Sequence, residues 1–229
     1  MTLQVNDLDR REAAPIVGTY LDVKEGFPNI YRGFGKRTLD IALVLLAAPF
    51  VVPLVLMLAL VIALDGHNPF YVQNRVGRHG RIFRIYKLRT MIPNAKARLD
   101  DYLARNIEAR LEWEQKQKLR KDPRVTKFGQ FLRNTSLDEL PQLLNVLKGD
   151  MSLIGPRPMM IEQMSMYPGM AYYLMRPGIS GSWQVSDRNG TTFAARSNFD
   201  TEYYRELTFW SDLKIILRTL VVVMRGTGC

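Results

Sequence analysis

Ile41 to Leu64 reads IALVLLAAPFVVPLVLMLALVIAL, 24 residues without a charge, a hydroxyl or an amide side chain. A bilayer core about 30 Å thick needs about 20 apolar helical residues, so this run is long enough to cross one. The alternative is a core helix, which would need a shell of protein around a rod that is apolar on every side. A chain of 229 residues has little left over to build that shell. The run therefore predicts a membrane-bound protein.

Pro49 and Pro53 interrupt the run. Each lacks a backbone N–H and crowds the preceding turn, which predicts a kinked or broken helix. Both flanks are basic: Lys36 and Arg37 before it, and Arg75, Arg78, Arg81, Arg84, Lys87 and Arg89 after it. Positive flanks favour the cytoplasm, and a single span cannot place both there. A helix bent at its prolines, entering and leaving by the same face, satisfies both flanks. Its cost is broken backbone in lipid, which needs shielding.

Lys and Arg total 32 against 22 Asp and Glu, a net charge of +10. Such an excess suits an anionic partner, and the apolar run turns the choice from nucleic acid toward headgroups and phosphorylated substrates. Cys229 is the single cysteine, which excludes an intrachain disulfide and fits a reducing compartment. Ile41–Leu64 lies too far from the start, and is too long, for a cleaved signal peptide.

The chain divides into a loosely ordered extension over 1–30, a lead-in and membrane helix over 31–64, and a catalytic domain over 65–229. In the lead-in, YRGFGKRTLD (31–40) sets aromatic and basic residues beside the apolar run, as at the headgroup level. Turn signals at 65–66, 68–69 and 79–80 flank short β-prone pieces, which predicts a hairpin carrying Lys87 and Arg89. Those two cations face either phosphates or solvent. Ala95–Lys118 reads as one helix, with Leu99, Leu103, Ile107 and Leu111 at four-residue spacing.

The stretch with chemistry to offer is RNTSLDELPQLLNVLKG (133–149). Leu140, Leu143, Leu144 and Leu147 form one apolar helical face, and Gly149 is a stop signal. Asp138 and Glu139 then sit at the helix N-terminus, where free N–H groups attract anions. Two readings stay open. The acids carry chemistry, or Ser136 and Glu139 form a capping box with Asp138 available as an N-cap. In the next loop two prolines hold Arg157 stiffly, suited to phosphate oxygens or to a neighbouring carboxylate. A glycine-rich stretch, RPGISGSWQVSDRNG (176–190), adds Arg176 and Arg188. Phe209–Met224 is a helix with Trp210, Leu213, Leu217 and Leu220 on one face, directed at either the membrane surface or the core. His67 and His79 have no partners at metal spacing, and no Walker-type or dinucleotide-type glycine loop is present.

From about Lys36 to its C-terminus the chain resembles the bacterial sugar transferases, the small monotopic phosphoglycosyl transferases. The resemblance is carried by KR..D at 36–40, the proline-broken helix, FRIYKLRTM at 83–91, SLDELPQLLNVLKGDMSLIGPRP at 136–158, RPGISG at 176–181 and QVSDRN at 184–189. The insert at 95–122 is similar to that of the enzymes that initiate exopolysaccharide synthesis. The resemblance implies a mostly helical α+β fold: a re-entrant membrane helix and a small cytoplasmic catalytic domain with amphipathic interfacial helices, at the bacterial inner membrane. It implies transfer of a sugar 1-phosphate, galactose or glucose first, from a UDP-sugar to undecaprenyl phosphate through a covalent aspartyl intermediate. Asp138 would be nucleophile and Mg2+ ligand, with Glu139 its partner. Arg133, Arg157, Arg188 and Lys87 would hold phosphates or the nucleotide. The membrane bend would fall at Pro53, shared by Pro49, although Val52 stands where the family has serine. Phospholipid would be a further partner, nucleic acid would not, and a homodimer is compatible. A membrane-anchored nucleic-acid binder and a catalytically silent scaffold are the competing readings. Salt-sensitive oligonucleotide binding would mark the first, and absent turnover the second.

Overall fold

The computed structural model describes residues 30–116, 119, 122–186 and 192–224. Arg188 and nearly all of the N-terminal extension lie outside them. A π-helical turn, Tyr31–Gly35, leads into α1 (Lys36–Ala63). Helical backbone runs through both Pro49 and Pro53. Only 11% of the helix's apolar window is buried, which rules out a core helix. The described residues are mostly helical, with two small sheets and one helix long and apolar enough to cross a membrane among them.

The predicted hairpin forms and is longer than the β-prone pieces. β1 (Phe70–Val76) pairs antiparallel with β2 (Ile82–Leu88), so that Phe70 faces Leu88 and Val76 faces Ile82. The inward side of β2 meets α1 at two places. Phe83 and Ile85 pack with Val44, Val146 and Met151, while Leu88 packs with Leu58, Ala59, Ile62 and Leu132. Burying each such side chain is worth about 1.5–3 kcal/mol, so both ends of α1 are fastened to one domain.

The insert is two helices rather than one: α2 (Ala95–Arg105) and α3 (Ile107–Lys116). Asn106 adopts extended backbone between them, and its side chain accepts a hydrogen bond from the Ala109 N–H. A cap-forming asparagine therefore overrides the leucine periodicity. Next come α4 (Lys127–Asn134), a 3₁₀ turn (Leu137–Gln142) and α5 (Leu143–Lys148), which ends at Gly149 with φ 87°. The predicted leucine face of α5 is split: Leu143 packs against the cluster around Val44. Asn145 and Val146 are buried, whereas Leu144 and Leu147 are exposed.

β3 (Ser152–Ile154) and β4 (Gly178–Ser180) form a short parallel pair. A Cβ on Gly178 would stand 2.1 Å from the Gly155 nitrogen, so this crossing of two backbones admits only glycine. The close approach seats the loop that carries Arg157. A short helix, α6 (Ala171–Leu174), precedes α7 (Arg196–Glu206) and α8 (Phe209–Met224). On α8 the inward residues are Asp212 and Ile215, while Trp210, Leu217 and Leu220 of the predicted stripe are exposed. Leu213, the fourth residue of that stripe, is half-buried, so the stripe as a whole does not pack against the core.

The basic lead-in also differs from expectation. Lys36 Nζ lies 2.5 Å from Asp212 Oδ2 and 3.0 Å from Tyr203 Oη, and Arg37 donates to the Val146 and Leu147 carbonyls. Both cations are committed to the fold and not to the headgroups: Lys36 joins Tyr31 and Tyr203 on the buried Asp212 carboxylate, and Arg37 holds carbonyls at the end of α5.

Candidate active site

The 3₁₀ turn before α5 places Asp138 and Glu139 under β2. Ser136, at φ 57°, makes no side-chain cap bond, so the capping box does not form. Glu139 is instead directed to β2, where its Oε1 lies 2.6 Å from Lys87 Nζ. Asp138 Oδ2 lies 3.7 Å from the same ammonium. One lysine thus serves two adjacent carboxylates, and Arg157 Nη2 reaches Glu139 Oε1 at 3.6 Å from the other side. The acids have a use beyond ending a helix.

Asp138 is buried, with 6% of its surface exposed. Burial pushes its carboxyl above the usual carboxylate range; Lys87 pulls it down, Glu139 pushes it up, and Arg133 and Arg157 pull it down. Arg133 is held by α4, and its Nε donates to Thr90 Oγ1 at 2.9 Å. Burial lowers its pKa, and the charge of Asp138 opposes that shift. Lys87, Arg133 and Arg157, three of the four cations implicated from sequence, therefore converge on the acidic pair. Arg188 lies outside the described residues.

Sequence reasoning missed four contributors. Arg75 of β1 donates to the Pro158 carbonyl at 3.1 Å and so holds the Arg157 loop. Burial, then the charge of Arg157, bring its pKa down to about 10. Arg196 of α7 stacks on Trp183, its guanidinium carbon 4.0 Å from the ring centroid, and on Phe193 at 4.6 Å. Arg196, Arg157 and Asp200 line one small cavity with Tyr167, Tyr172 and Trp183. Asp200 accepts a hydrogen bond from Tyr167 Oη at 2.6 Å, and burial pushes its carboxyl up to about 6. Arg75 was visible only as flank charge. Arg196, Asp200 and Tyr167 carried no local signal, because tertiary packing alone brings them beside Arg157.

Among the described residues no group of three or more His, Cys, Asp or Glu converges. A magnesium ion commonly takes one or two carboxylates and completes its shell with substrate phosphates and water. Asp138 and Glu139, which already share one cationic group, fit that pattern.

A buried Asp138 beside a half-buried Glu139, ringed by lysine and arginine, suits attack on, or binding of, a charged phosphoryl group. The family model for bacterial sugar transferases matches residues 31–226. The chain belongs to that family. It is 46% identical over 197 residues to an undecaprenyl-phosphate galactose phosphotransferase of Salmonella typhimurium, covering 85% of this chain and 41% of that protein. It is 40% identical over 199 residues to the exopolysaccharide production protein ExoY of Sinorhizobium fredii, covering 86% and 88%. It is 34% identical over 224 residues to the UDP-glucose:undecaprenyl-phosphate glucose-1-phosphate transferase of Escherichia coli, covering 93% and 44%. The chain thus spans less than half the length of some relatives and most of the length of others.

Proposed function

We propose that the protein transfers a hexose 1-phosphate from a UDP-sugar to undecaprenyl phosphate, with release of UMP. The observation that carries this reading is the buried Asp138, set beside Glu139 and within reach of Lys87, Arg133 and Arg157. An oxygen of Asp138 attacks the β-phosphorus of the donor. The bond from that phosphorus to the bridging oxygen breaks, and UMP leaves with the electron pair. The resulting acyl phosphate joins Asp138 to the sugar phosphate. A phosphate oxygen of undecaprenyl phosphate then attacks the same phosphorus, the bond to Asp138 breaks, and the carboxylate is restored. Lys87, Arg133 and Arg157 neutralise the diphosphate, whose charge otherwise repels an anionic nucleophile. Magnesium, held by Asp138 with Glu139 beside it, supplies further charge neutralisation when bound. The names of the relatives favour galactose or glucose as the sugar.

The membrane reading completes the scheme. Both ends of α1 pack on one domain, through Val44 and through Leu58, Ala59 and Ile62, while Leu46 and Phe50 between them are 73% and 80% exposed. Two ends bound to one domain argue for a re-entrant helix bent about Pro49 and Pro53, with the catalytic domain on the cytoplasmic face of the inner membrane. Exposed Trp210, Leu217 and Leu220 on α8, and Leu144 and Leu147 on α5, suit helices lying in the interface. There the acidic pair meets a soluble donor and a lipid-borne acceptor.

The test is UMP release from a panel of UDP-sugars with undecaprenyl phosphate and Mg2+, native protein against Asp138→Asn. Release by the native protein alone is expected, and it identifies the sugar. Equal release by both would exclude a nucleophilic Asp138.

A further inference from the structure

We propose that Arg37 is a positioning residue that sets the height of the acidic pair above the bilayer. In this view transfer to a lipid-borne phosphate depends on it, and attack on the soluble donor does not. The inference rests on the reading above and assigns a use to a side chain outside the reacting groups.

Four residues at the start of α1 each fasten a different piece of the domain. Lys36 is bound to Asp212 of α8, Asp40 accepts from the Leu153 N–H of β3 at 3.0 Å, and Val44 packs against β2. Arg37 is the one whose hydrogen bonds go to α5. Its Nη1 lies 2.5 Å from the Val146 oxygen and its Nη2 2.9 Å from the Leu147 oxygen. These carbonyls belong to the last turn of a short helix, where the Gly149 N–H supplies the Val146 oxygen with one 3.0 Å bond, and a guanidinium fork can hold both at once. Arg176 supports the same end, its Nε donating to the Gly149 oxygen at 2.9 Å. Val146 beside this joint is fully buried, in one cluster with Val44.

The 3₁₀ turn that carries Asp138 runs directly into α5, so the acid and the joint are parts of one short rigid piece. The depth of α1 is set by its apolar middle in hydrocarbon, and Arg37 passes that depth to α5. Displacing a reacting atom by about 1 Å can cost about 10²-fold in rate. Here the displacement affects an acceptor that cannot leave the bilayer, while a donor from solution simply follows the site.

The experiment uses the full chain in vesicles of phosphatidylethanolamine and phosphatidylglycerol, comparing native protein, Arg37→Met and Arg37→Lys. Three rates are measured: the donor-only burst of UMP, transfer to undecaprenyl phosphate, and transfer to a short water-soluble prenyl phosphate. For Arg37→Met the burst and the soluble-acceptor rate are expected within about twofold of native, with lipid transfer down about 10–100-fold. Arg37→Lys, which keeps the charge and loses the fork, should fall between. Equal loss in all three rates, or loss in none, overturns the proposal. A nitroxide at Leu144 gives a readout independent of turnover. Its immersion depth should change with Arg37→Met, and an unchanged depth also overturns the proposal. A depth change in a protein that releases no UMP would overturn the transferase reading and leave the positioning role standing.

Discussion

Lys87 Nζ lies 2.6 Å from Glu139 Oε1 and 3.7 Å from Asp138 Oδ2, so a single β2 ammonium serves both acids of the 3₁₀ turn. Burial raises the Asp138 pKa and Lys87 opposes the rise. Removing the ammonium in Lys87→Met therefore raises that pKa further. A nucleophilic carboxylate must be ionised, so the acid limb of the pH profile for UMP release should move to higher pH. The rate on the plateau should also fall about 10²-fold, as for other lost charge-stabilising donors. An acid limb that stays in place would show that Lys87 does not control Asp138.

Asp200 yields a prediction about stability. Its pKa rises from 3.8 to about 6 on folding, chiefly through burial, with the Tyr167 hydrogen bond and Arg196 opposing. A raised carboxyl binds its proton more tightly in the folded state, so its contribution is best below about pH 4 and declines as pH rises to about 6. The cost at pH 7 is about 3 kcal/mol. Asp200→Asn removes this dependence. Denaturation midpoints in detergent should show the variant gaining on the native protein between pH 4 and pH 7, and a constant difference across that range would exclude the shift.

The apolar run, the hairpin and the Gly149 stop were legible, because local composition and turn signals determine them. The residues alone left Lys87 open between phosphates and solvent, and Arg157 between phosphates and a carboxylate. Other features depended on packing and were not legible. Leucine spacing did not separate the two sides of α5, since Leu143 packs inward while Leu144 and Leu147 are exposed. The same spacing hid the break at Asn106. Lys36 and Arg37 read as flank charges, yet their partners, Asp212 and Val146, are more than a hundred residues away. Arg196 and Asp200 reach the site only once α7 has folded against the Arg157 loop.

Gly129 tests the support of Arg133. A Cβ at this position would lie 2.0 Å from the Thr90 oxygen, and Thr90 Oγ1 accepts the Arg133 Nε–H. Gly129→Ala must push α4 away from the β2 exit. The cost should be about 2 kcal/mol of stability, as for other overpacked sites. The displaced guanidinium should also weaken donor binding, read as a raised KM for the UDP-sugar at unchanged protein fold. Native stability in the alanine variant would mean that the crossing relaxes without moving Thr90.

The two ends of α1 provide the remaining test. Val44 and Ile62 dock on the same hairpin strand, the first against Phe83 and Ile85, the second against Leu88. Arg89 extends the second attachment, with Nη2 3.3 Å from the Ile62 oxygen and 2.6 Å from Asp65 Oδ1. A straight helix of this length is about 42 Å long, more than the hydrocarbon thickness of about 30 Å. A spanning orientation would therefore tear one attachment from the domain, costing Phe83 its contact with Val44 or Arg89 its bond to the Ile62 carbonyl. With Cys229 replaced by serine, single cysteines at Thr38 and His67 are both expected to react with a membrane-impermeant maleimide in inverted vesicles. Neither should react in intact spheroplasts. Labelling of the two positions from opposite sides would establish a spanning helix and exclude the re-entrant one.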